Sequence, residues 1–305
     1  MFHPRMPSST DAPDWAALRA GWPNADASTF VEAAGVRWHV QRAGTGPAIL
    51  LLHGTGGASH SWGDIVPLLA RDHTVLVPDL PGQGFTPALG EPPTIDAMAR
   101  AVHALCTALS VAPIAAAGHS AGAAILLAMA RDRRLPLEAI VGFGAALVAP
   151  PAAYRDLLAP LLHPLVTAPW TASIGAALGA QRAVGDALLS ATGSAVPEPQ
   201  RARYRALFAS RAHVAGALAW MAHWDLAGLV RTLASAALPP ITLVHGTRDA
   251  FVPIAELRAV AATIPAATVV AWEGAGHLLH EERPAAAAEA IRCAMSDARR
   301  GEGPA

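Results

Sequence analysis

Short apolar runs recur along this chain. Each closes on a glycine-rich or acidic turn, and each is followed by a segment of helical spacing. Ala48-Ile49-Leu50-Leu51-Leu52 ends in His53-Gly54-Thr55-Gly56-Gly57. Thr74-Val75-Leu76-Val77-Pro78-Asp79 leads into Pro81-Gly82-Gln83-Gly84, and Ile241-Thr242-Leu243-Val244 into His245-Gly246-Thr247-Arg248-Asp249. A run with no polar alternation has no face to give to water, so it fits a strand buried on both sides. Parallel neighbours need a crossover between them, and the helical segments supply it. The expected class is therefore α/β: a mostly parallel central sheet flanked by helices.

Helical spacing is expected over about Trp62 to Ala70, Thr94 to Leu109, Ala121 to Arg131 and Ala255 to Thr263, and from Pro284 onward. In the second of these, Ile95, Met98, Val102, Leu105 and Leu109 share one face. Further strands are expected at Pro113 to Ala117, within Leu137 to Leu147 and at Thr268 to Trp272. A hairpin around Gly35 joins Phe30-Val31-Glu32 to Val36 through Val40. The alternation pauses at Pro150-Pro151, and only alanine-rich helical pattern follows until about Leu233. The organisation read from this is a leader (1–28), a core in two pieces (29–149 and 234–298), a helical cap or lid inserted in the second half (150–233), and a frayed tail (299–305).

Composition removes several classes. Of 305 residues, 53% are hydrophobic and 15% charged, which excludes bulk disorder. A formal net charge of -1 leaves no electrostatic footprint for nucleic acid. All 22 basic residues are arginine, so Schiff-base chemistry and a Walker-A phosphate loop, which need lysine, drop out. Cys106 and Cys293 make no disulfide framework and read as two buried thiols. The first 14 residues lack an apolar signal-peptide region. Thr107 to Ala130 and Leu157 to Gln181 carry no charge, but proline, glycine and histidine interrupt both, so no transmembrane helix is expected. A cytoplasmic protein is expected, with membrane association left open.

Gly118-His119-Ser120-Ala121-Gly122 matches Gly-x-Ser-x-Gly between an expected strand and an expected helix. A serine on such a turn sits in a strained conformation, and flanking glycines let neighbouring chains approach. The helix start aims the Ala121 N–H at developing negative charge. A serine hydroxyl is a weak nucleophile and needs a base. His277, in Gly274-Ala275-Gly276-His277, follows the last expected strand, and Asp249 lies on the loop after the strand before it. The chain order Ser120, Asp249, His277 suits a nucleophile, an orienting acid and a base at one edge of a sheet. Asp225 is a rival acid, with helix capping as its blander role. The second oxyanion donor is expected in the loop after the first buried strand, from the Thr55 N–H first and Gly56 second.

Other polar residues read as structural. His53 and His60 lack carboxylates or cysteines at ligand spacing, so no metal is expected and a hydrogen-bonded structural role is assigned to both. His280 reads as a surface helix residue, and His119 as a residue shaping the pocket. In the insertion, Trp170, Trp220 and Trp224, with Met221, are candidates for an apolar pocket able to hold a flat ring, against ordinary packing of a helical lid. Gly56 is a further pocket candidate. Arg201, Arg203, Arg205 and Arg211 could meet carboxylates of a ligand, against the reading as a solvated helix face.

Over residues 30–295 the chain resembles an α/β-hydrolase. A narrower resemblance is carried by Trp22-Pro23-Asn24, Trp38-His39-Val40-Gln41, Leu52-His53-Gly54-Thr55-Gly56, His60-Ser61-Trp62, Asp79-Leu80-Pro81-Gly82, Gly84-Phe85-Thr86 and Gly118 through Ala124. Together these are similar to the BchO family, accessory proteins of magnesium chelatase in bacteriochlorophyll synthesis. The resemblance implies a cytoplasmic protein acting near magnesium insertion into protoporphyrin IX, with magnesium-chelatase subunits as candidate partners and no agreed substrate. Gln83 stands where the family leads one to expect histidine, and Gly63 where it leads one to expect arginine. The expected function is serine-triad hydrolysis of an ester or related acyl bond in a small apolar substrate, a tetrapyrrole being the candidate, with no cofactor. Alternatives are a non-catalytic porphyrin- or chelatase-binding protein, and carbon–carbon bond hydrolysis or perhydrolysis on the same scaffold.

Overall fold

A computed structural model describes residues 12–149 and 159–301. Pro150-Pro151, the first 11 residues and the tail after Gly301 lie outside the described residues. The strands are β1 (Ser28–Ala33), β2 (Val36–Ala43), β3 (Ala48–Leu52), β4 (Thr74–Pro78), β5 (Ala115–His119), β6 (Ala139–Phe143), β7 (Ile241–Gly246) and β8 (Ala267–Trp272). They form one sheet in the order β1-β2-β4-β3-β5-β6-β7-β8. β2 lies antiparallel to its neighbours β1 and β4, and the six strands from β3 to β8 run parallel to one another.

Burial on both faces explains the uninterrupted apolar runs. Along β3, Ile49 and Leu51 join a layer with Trp62, Leu69 and Ile291, whereas Leu50 and Leu52 join the opposite layer with Met98, Val102 and Ile125. Each such aliphatic side chain contributes roughly 1.5–3 kcal/mol relative to an exposed one. Of the helices, α1 (Trp15–Leu18), α2 (Val66–Leu69), α3 (Ile95–Ala108) and α4 (Ala121–Arg131) precede β6. Between β6 and β7 the chain runs through α5 (Ala159–Val166), α6 (Pro169–Gly179), α7 (Arg182–Ser190), α8 (Glu198–Phe208), α9 (Arg211–His223) and α10 (Leu226–Leu233). The last three are α11 (Ile254–Ala261), α12 (Leu279–Glu282) and α13 (Pro284–Arg300). Thr94 caps α3, its hydroxyl oxygen accepting from the Ala97 N–H at 3.1 Å. Ile95, Met98, Val102 and Leu105 are buried as the spacing predicts.

Several expectations shift. The segment 62–70 is no continuous helix: a 3₁₀ turn (Ser59–Trp62) precedes α2, with Pro67 in the first turn, where its missing N–H is tolerated. β5 begins at Ala115, since Pro113 has no N–H for a ladder, and extends to His119 opposite Phe143. β6 stops at Phe143 because Gly144, at φ 53°, turns the chain away. The described part of the leader packs on the core. Trp22 is buried and its Nε1 donates to Ser59 Oγ at 3.1 Å, while Asn24 Nδ2 donates to the Gly63 carbonyl at 2.9 Å. A Cβ on Gly63 would lie 2.6 Å from Pro23 Cγ, so arginine has no room there unless this segment moves. Arg299 and Arg300, expected in a frayed tail, form the last turn of α13, which ends on Gly301 at φ 69°. Cys106 is buried, but Cys293 is exposed on α13, contrary to expectation. Among the described residues, no helix is long and apolar enough to cross a membrane, and no group of three or more His, Cys, Asp or Glu side chains could hold a metal.

Candidate active site

Ser120 lies between β5 and α4 at φ 47° and ψ -111°, a left-handed turn that costs a non-glycine residue of order 1–3 kcal/mol. The surroundings over-determine it. The Ser120 N–H donates to the Phe143 carbonyl at 2.9 Å, and the Ser120 carbonyl accepts from Ala146 at 3.1 Å and Ala123 at 3.2 Å. The flanking glycines are sterically required. A Cβ on Gly118 would sit 2.4 Å from the Ala123 nitrogen, and one on Gly122 would sit 2.3 Å from the Leu52 carbonyl oxygen.

His277 and Asp249 meet across the loops after β8 and β7. His277 Nδ1 lies 2.7 Å from Asp249 Oδ2, and the Asp249 side chain is wholly shielded from solvent. Asp249 Oδ1 accepts from the backbone N–H groups of Phe251 at 2.8 Å and Val252 at 3.1 Å. Burial opposes ionisation of Asp249, but the His277 contact and these two amides outweigh it and hold the carboxyl below its ordinary range. An Asp249 carboxylate fixes the Nδ1–H tautomer of neutral His277, leaving Nε2 as the basic nitrogen. The His277 backbone is pinned from two sides: its N–H donates to the Thr192 carbonyl at 3.0 Å, and its carbonyl faces His119 Nε2 at 3.1 Å. Asp225, the rival acid, caps α10 by accepting from the Gly228 N–H at 2.8 Å.

The loop after β3 backs onto the serine turn. A Cβ on Gly54 would lie 2.6 Å from His119 Nδ1 and 3.0 Å from Ser120 Cβ. Neither the Thr55 N–H nor the Ala121 N–H has a hydrogen-bond partner among the described residues. The Gly56 N–H does: it donates to Gln83 Oε1 at 2.9 Å, which removes Gly56 as an oxyanion donor. His53 is buried and accepts at Nε2 from the Leu80 N–H at 2.9 Å, with Nδ1 2.8 Å from the Gly54 carbonyl. That pattern requires a neutral ring, in keeping with burial lowering its pKa. Asp79 ties the neighbouring loops, accepting from the N–H groups of Ser59 at 2.6 Å and Phe85 at 2.9 Å, with His39 Nδ1 at 2.9 Å.

Ser120, His277, His119, Thr55 and Gly56 line one cavity of about 510 Å³. The insertion closes it with Leu189, Tyr204, Phe208, Val214, Leu218 and Met221. Among the described residues, no arginine, aspartate or glutamate lines it. Leu188, Met221 and Phe251 also line it and are more than half exposed, so they mark an apolar mouth.

The candidate tryptophans do not line the pocket, and two of them pack as a helical lid would. Trp170 is 55% exposed on α6, in an outward stripe with Ile174 and Leu178. Trp220 is buried, stacks on Trp224 with centroids 5.5 Å apart, and donates to the Pro81 carbonyl at 3.0 Å. Trp224 donates to the Pro93 carbonyl at 2.9 Å, so both rings bolt the insertion onto the loops of the core. Arg201 and Arg205 pair with Asp186, and Arg205 also with Glu198. Arg203 Nε donates to the Gly21 carbonyl at 2.9 Å.

Two histidines also correct the sequence reading. His280 is buried, not on a surface, with its ring stacked 4.4 Å from His119, and burial lowers its pKa to about 3. His60 is buried, but neither ring nitrogen has a hydrogen-bond partner among the described residues; it packs against Trp22 and Tyr204. Of the wall supplied by α9, sequence reasoning named only Met221. Val214, Ala217, Leu218 and Met221 repeat at i, i+3, i+4 and i+7, a stripe that could have been read, with His213 just ahead of it.

Residues 49–290 match the alpha/beta hydrolase family, and the chain belongs to that family. Within it, the chain is 36% identical over 268 residues to the magnesium-chelatase 30 kDa subunit of Rhodobacter capsulatus, a match covering 87% of this chain and 93% of that one. The narrower resemblance drawn from the sequence strings points to the same protein group. A thermophilic esterase from Thermogutta terrifontis, solved with malate bound, superposes with TM-score 0.71 at 24% identity, covering 89% of this chain and 98% of that one. A loop variant of a haloalkane dehalogenase from Bradyrhizobium elkanii superposes with TM-score 0.67 at 21% identity, covering 90% and 97%. Proteins named for different reactions share this fold, so the side chains of the site must choose between them.

Proposed function

We propose that the chain is a serine hydrolase acting on an ester or related acyl bond of a small, uncharged, apolar substrate. The observation that carries this is the 2.7 Å contact of His277 with a fully shielded Asp249, lining the same cavity as a serine held on a strained strand-to-helix turn. Ser120 Oγ attacks the acyl carbon as His277 Nε2 takes its proton. The carbonyl oxygen becomes an oxyanion facing the N–H groups of Thr55 and Ala121. Collapse of that intermediate breaks the acyl–oxygen bond, and His277 returns the proton to the leaving alkoxide. Water then enters, gives a proton to His277, and releases the acid and Ser120. Carbon–carbon hydrolysis and perhydrolysis use the same groups, and a substrate screen separates them. The apolar side chains that line the cavity among the described residues, Leu188, Leu189, Phe208, Val214, Leu218 and Met221, support an uncharged acyl group.

The likeness to a magnesium-chelatase subunit favours a second reading: a cytoplasmic accessory protein that binds a tetrapyrrole or the chelatase without turnover. A fluorophosphonate probe, followed by peptide mass spectrometry with Ser120→Ala as control, tests the first reading. A stoichiometric adduct on Ser120, lost in the variant, is expected. A folded protein that forms no adduct overturns it. Equal complementation of a pigment-deficient strain by wild type and Ser120→Ala would support the second.

A further inference from the structure

Three segments from different parts of the chain close a ring of hydrogen bonds around Gly56. From the loop after β4, Gln83 Oε1 accepts from the Gly56 N–H at 2.9 Å. Gln83 Nε2 donates to the Gly82 carbonyl at 2.8 Å and to the His213 carbonyl at 3.2 Å, the latter on α9 of the insertion. His213 Nε2 lies 3.1 Å from the Gly56 carbonyl, and its Nδ1 accepts from the Gly84 N–H at 3.0 Å. Both nitrogens being used fixes the tautomer: a ring accepting at Nδ1 and donating at Nε2 is neutral. Both side chains are buried. The two peptide units that meet at Gly56 are therefore held, one by its N–H and the other by its carbonyl, immediately after Thr55.

We propose that Gln83 and His213 are positioning residues, which make the oxyanion loop and helix α9 one rigid body and so present the Thr55 N–H to the reacting carbonyl. This rests on the serine-hydrolase reading given above. Neither side chain has to touch the reacting atoms. Three observations support it. Gly56 at φ 78° takes a conformation that leaves the loop free to adopt others without an external hold. α9 also supplies the cavity wall, so its docking and the loop's geometry change together. The Gln83 amide offers an acceptor to the Gly56 N–H and a donor to the His213 carbonyl on one buried side chain, so it ties the loop to α9 directly. Burial pushes the His213 pKa down to about 4, so the ring stays neutral and the ring of bonds intact through neutral and mildly acidic pH.

The test uses the full chain with p-nitrophenyl butyrate as probe substrate, and compares wild type, His213→Phe, His213→Gln, Gln83→Met and the double variant His213→Phe/Gln83→Met. Losing an oxyanion donor outright costs about 10²–10³ in rate; a loosened donor should cost about 10–100-fold in kcat, with KM within about threefold. His213→Gln, which keeps a donor for the Gly56 carbonyl, should recover most of the loss. The double variant should be no more than about threefold worse than the worse single one, because either change frees the same loop. Amide hydrogen exchange over residues 54–57 should be faster in His213→Phe and Gln83→Met. That readout separates the two claims. Wild type that neither turns over the ester nor forms the fluorophosphonate adduct on Ser120 sinks the hydrolase reading, while exchange still decides whether the loop is held. Unchanged exchange in folded variants overturns the proposal, as does a loss lying wholly in KM. Should one variant fail to fold, the other decides.

Discussion

The edge of the sheet and the helices between β6 and β7 hold opposite sides of the same cavity by different means. Along the edge, each polar group lies on a loop after a strand and is fixed mainly through backbone contacts: Ser120 between two glycines that admit no Cβ, Asp249 on two neighbouring backbone amides, His277 by the Thr192 carbonyl of the insertion and by His119. Among the helices, almost nothing near the cavity is set locally. α9 is held by His213 and Trp220 bonding to loops of the core, and α8 by Tyr204 donating to Glu281 of α12 at 2.6 Å. The edge thus holds Ser120, Asp249 and His277 on turns tied through the backbone, while the insertion depends on side-chain bolts between distant segments for its place. A change at the edge should alter chemistry without altering the fold. A change at a bolt should alter stability or loop geometry first.

The sharpest way to break that contrast is Asp249→Asn. It keeps the packing but loses the tautomer control and charge stabilisation of His277, so turnover should fall by about 10⁴ with the thermal midpoint little moved. Near-normal turnover would remove Asp249 from the assignment. Next comes Trp220→Ala, at a bolt. Truncating a buried, stacked, hydrogen-bonded indole should cost about 3–5 kcal/mol in denaturant unfolding. A loss under about 1 kcal/mol would show that the insertion is held by something else.

A pH series of unfolding free energies probes both regions at once. His53, His60, His119, His213 and His280 are all kept neutral by burial, with His213 lowered to about 4 and His280 to about 3. Below the ordinary imidazole value of about 6.5, the unfolded chain takes up protons that the folded chain refuses. Stability therefore falls as pH drops, and His213 alone accounts for about 3 kcal/mol between pH 6.5 and 4. Glu281 works the other way. Burial raises it to about 8 despite the Tyr204 hydrogen bond, so its unfolded form ionises first and stability declines as pH rises toward 8. The two slopes cross near the imidazole value, and maximum stability is expected at about pH 6.5. Glu281→Gln should flatten the alkaline side and steepen the rise between about pH 4.5 and 6.5, and a plateau extending down to pH 4 would contradict the neutral histidines. The smallest effect is expected from Trp170→Ala, a ring 55% exposed on α6, with stability changed by no more than about 0.5 kcal/mol.

Much of the architecture is legible in the amino-acid order alone. The bounds of β3 and α4 and the start of α13 coincide with their apolar runs and caps, because burial on both faces of a sheet and proline at a helix start are local constraints. The hairpin and the order of Ser120, Asp249 and His277 are legible for the same reason. The tryptophans show where such reading stops. Trp220 and Trp224 are four apart in the chain, and their spacing does not say whether the shared face meets a ligand or the core. His280 sits among charged residues in the chain but under Trp62 and His119 in space.

The sequence by itself determined the parallel sheet and the turns that carry Ser120, Asp249 and His277, since an uninterrupted apolar run and a glycine-flanked turn are patterns written within a few residues. Only the tertiary structure decided the walls of the cavity, the neutral state of the buried histidines, and the tie from Gly56 through Gln83 to His213, 130 positions further along the chain. Those rest on contacts between segments whose separation is set by how the helices dock, and docking depends on every packed surface at once, not on any local pattern.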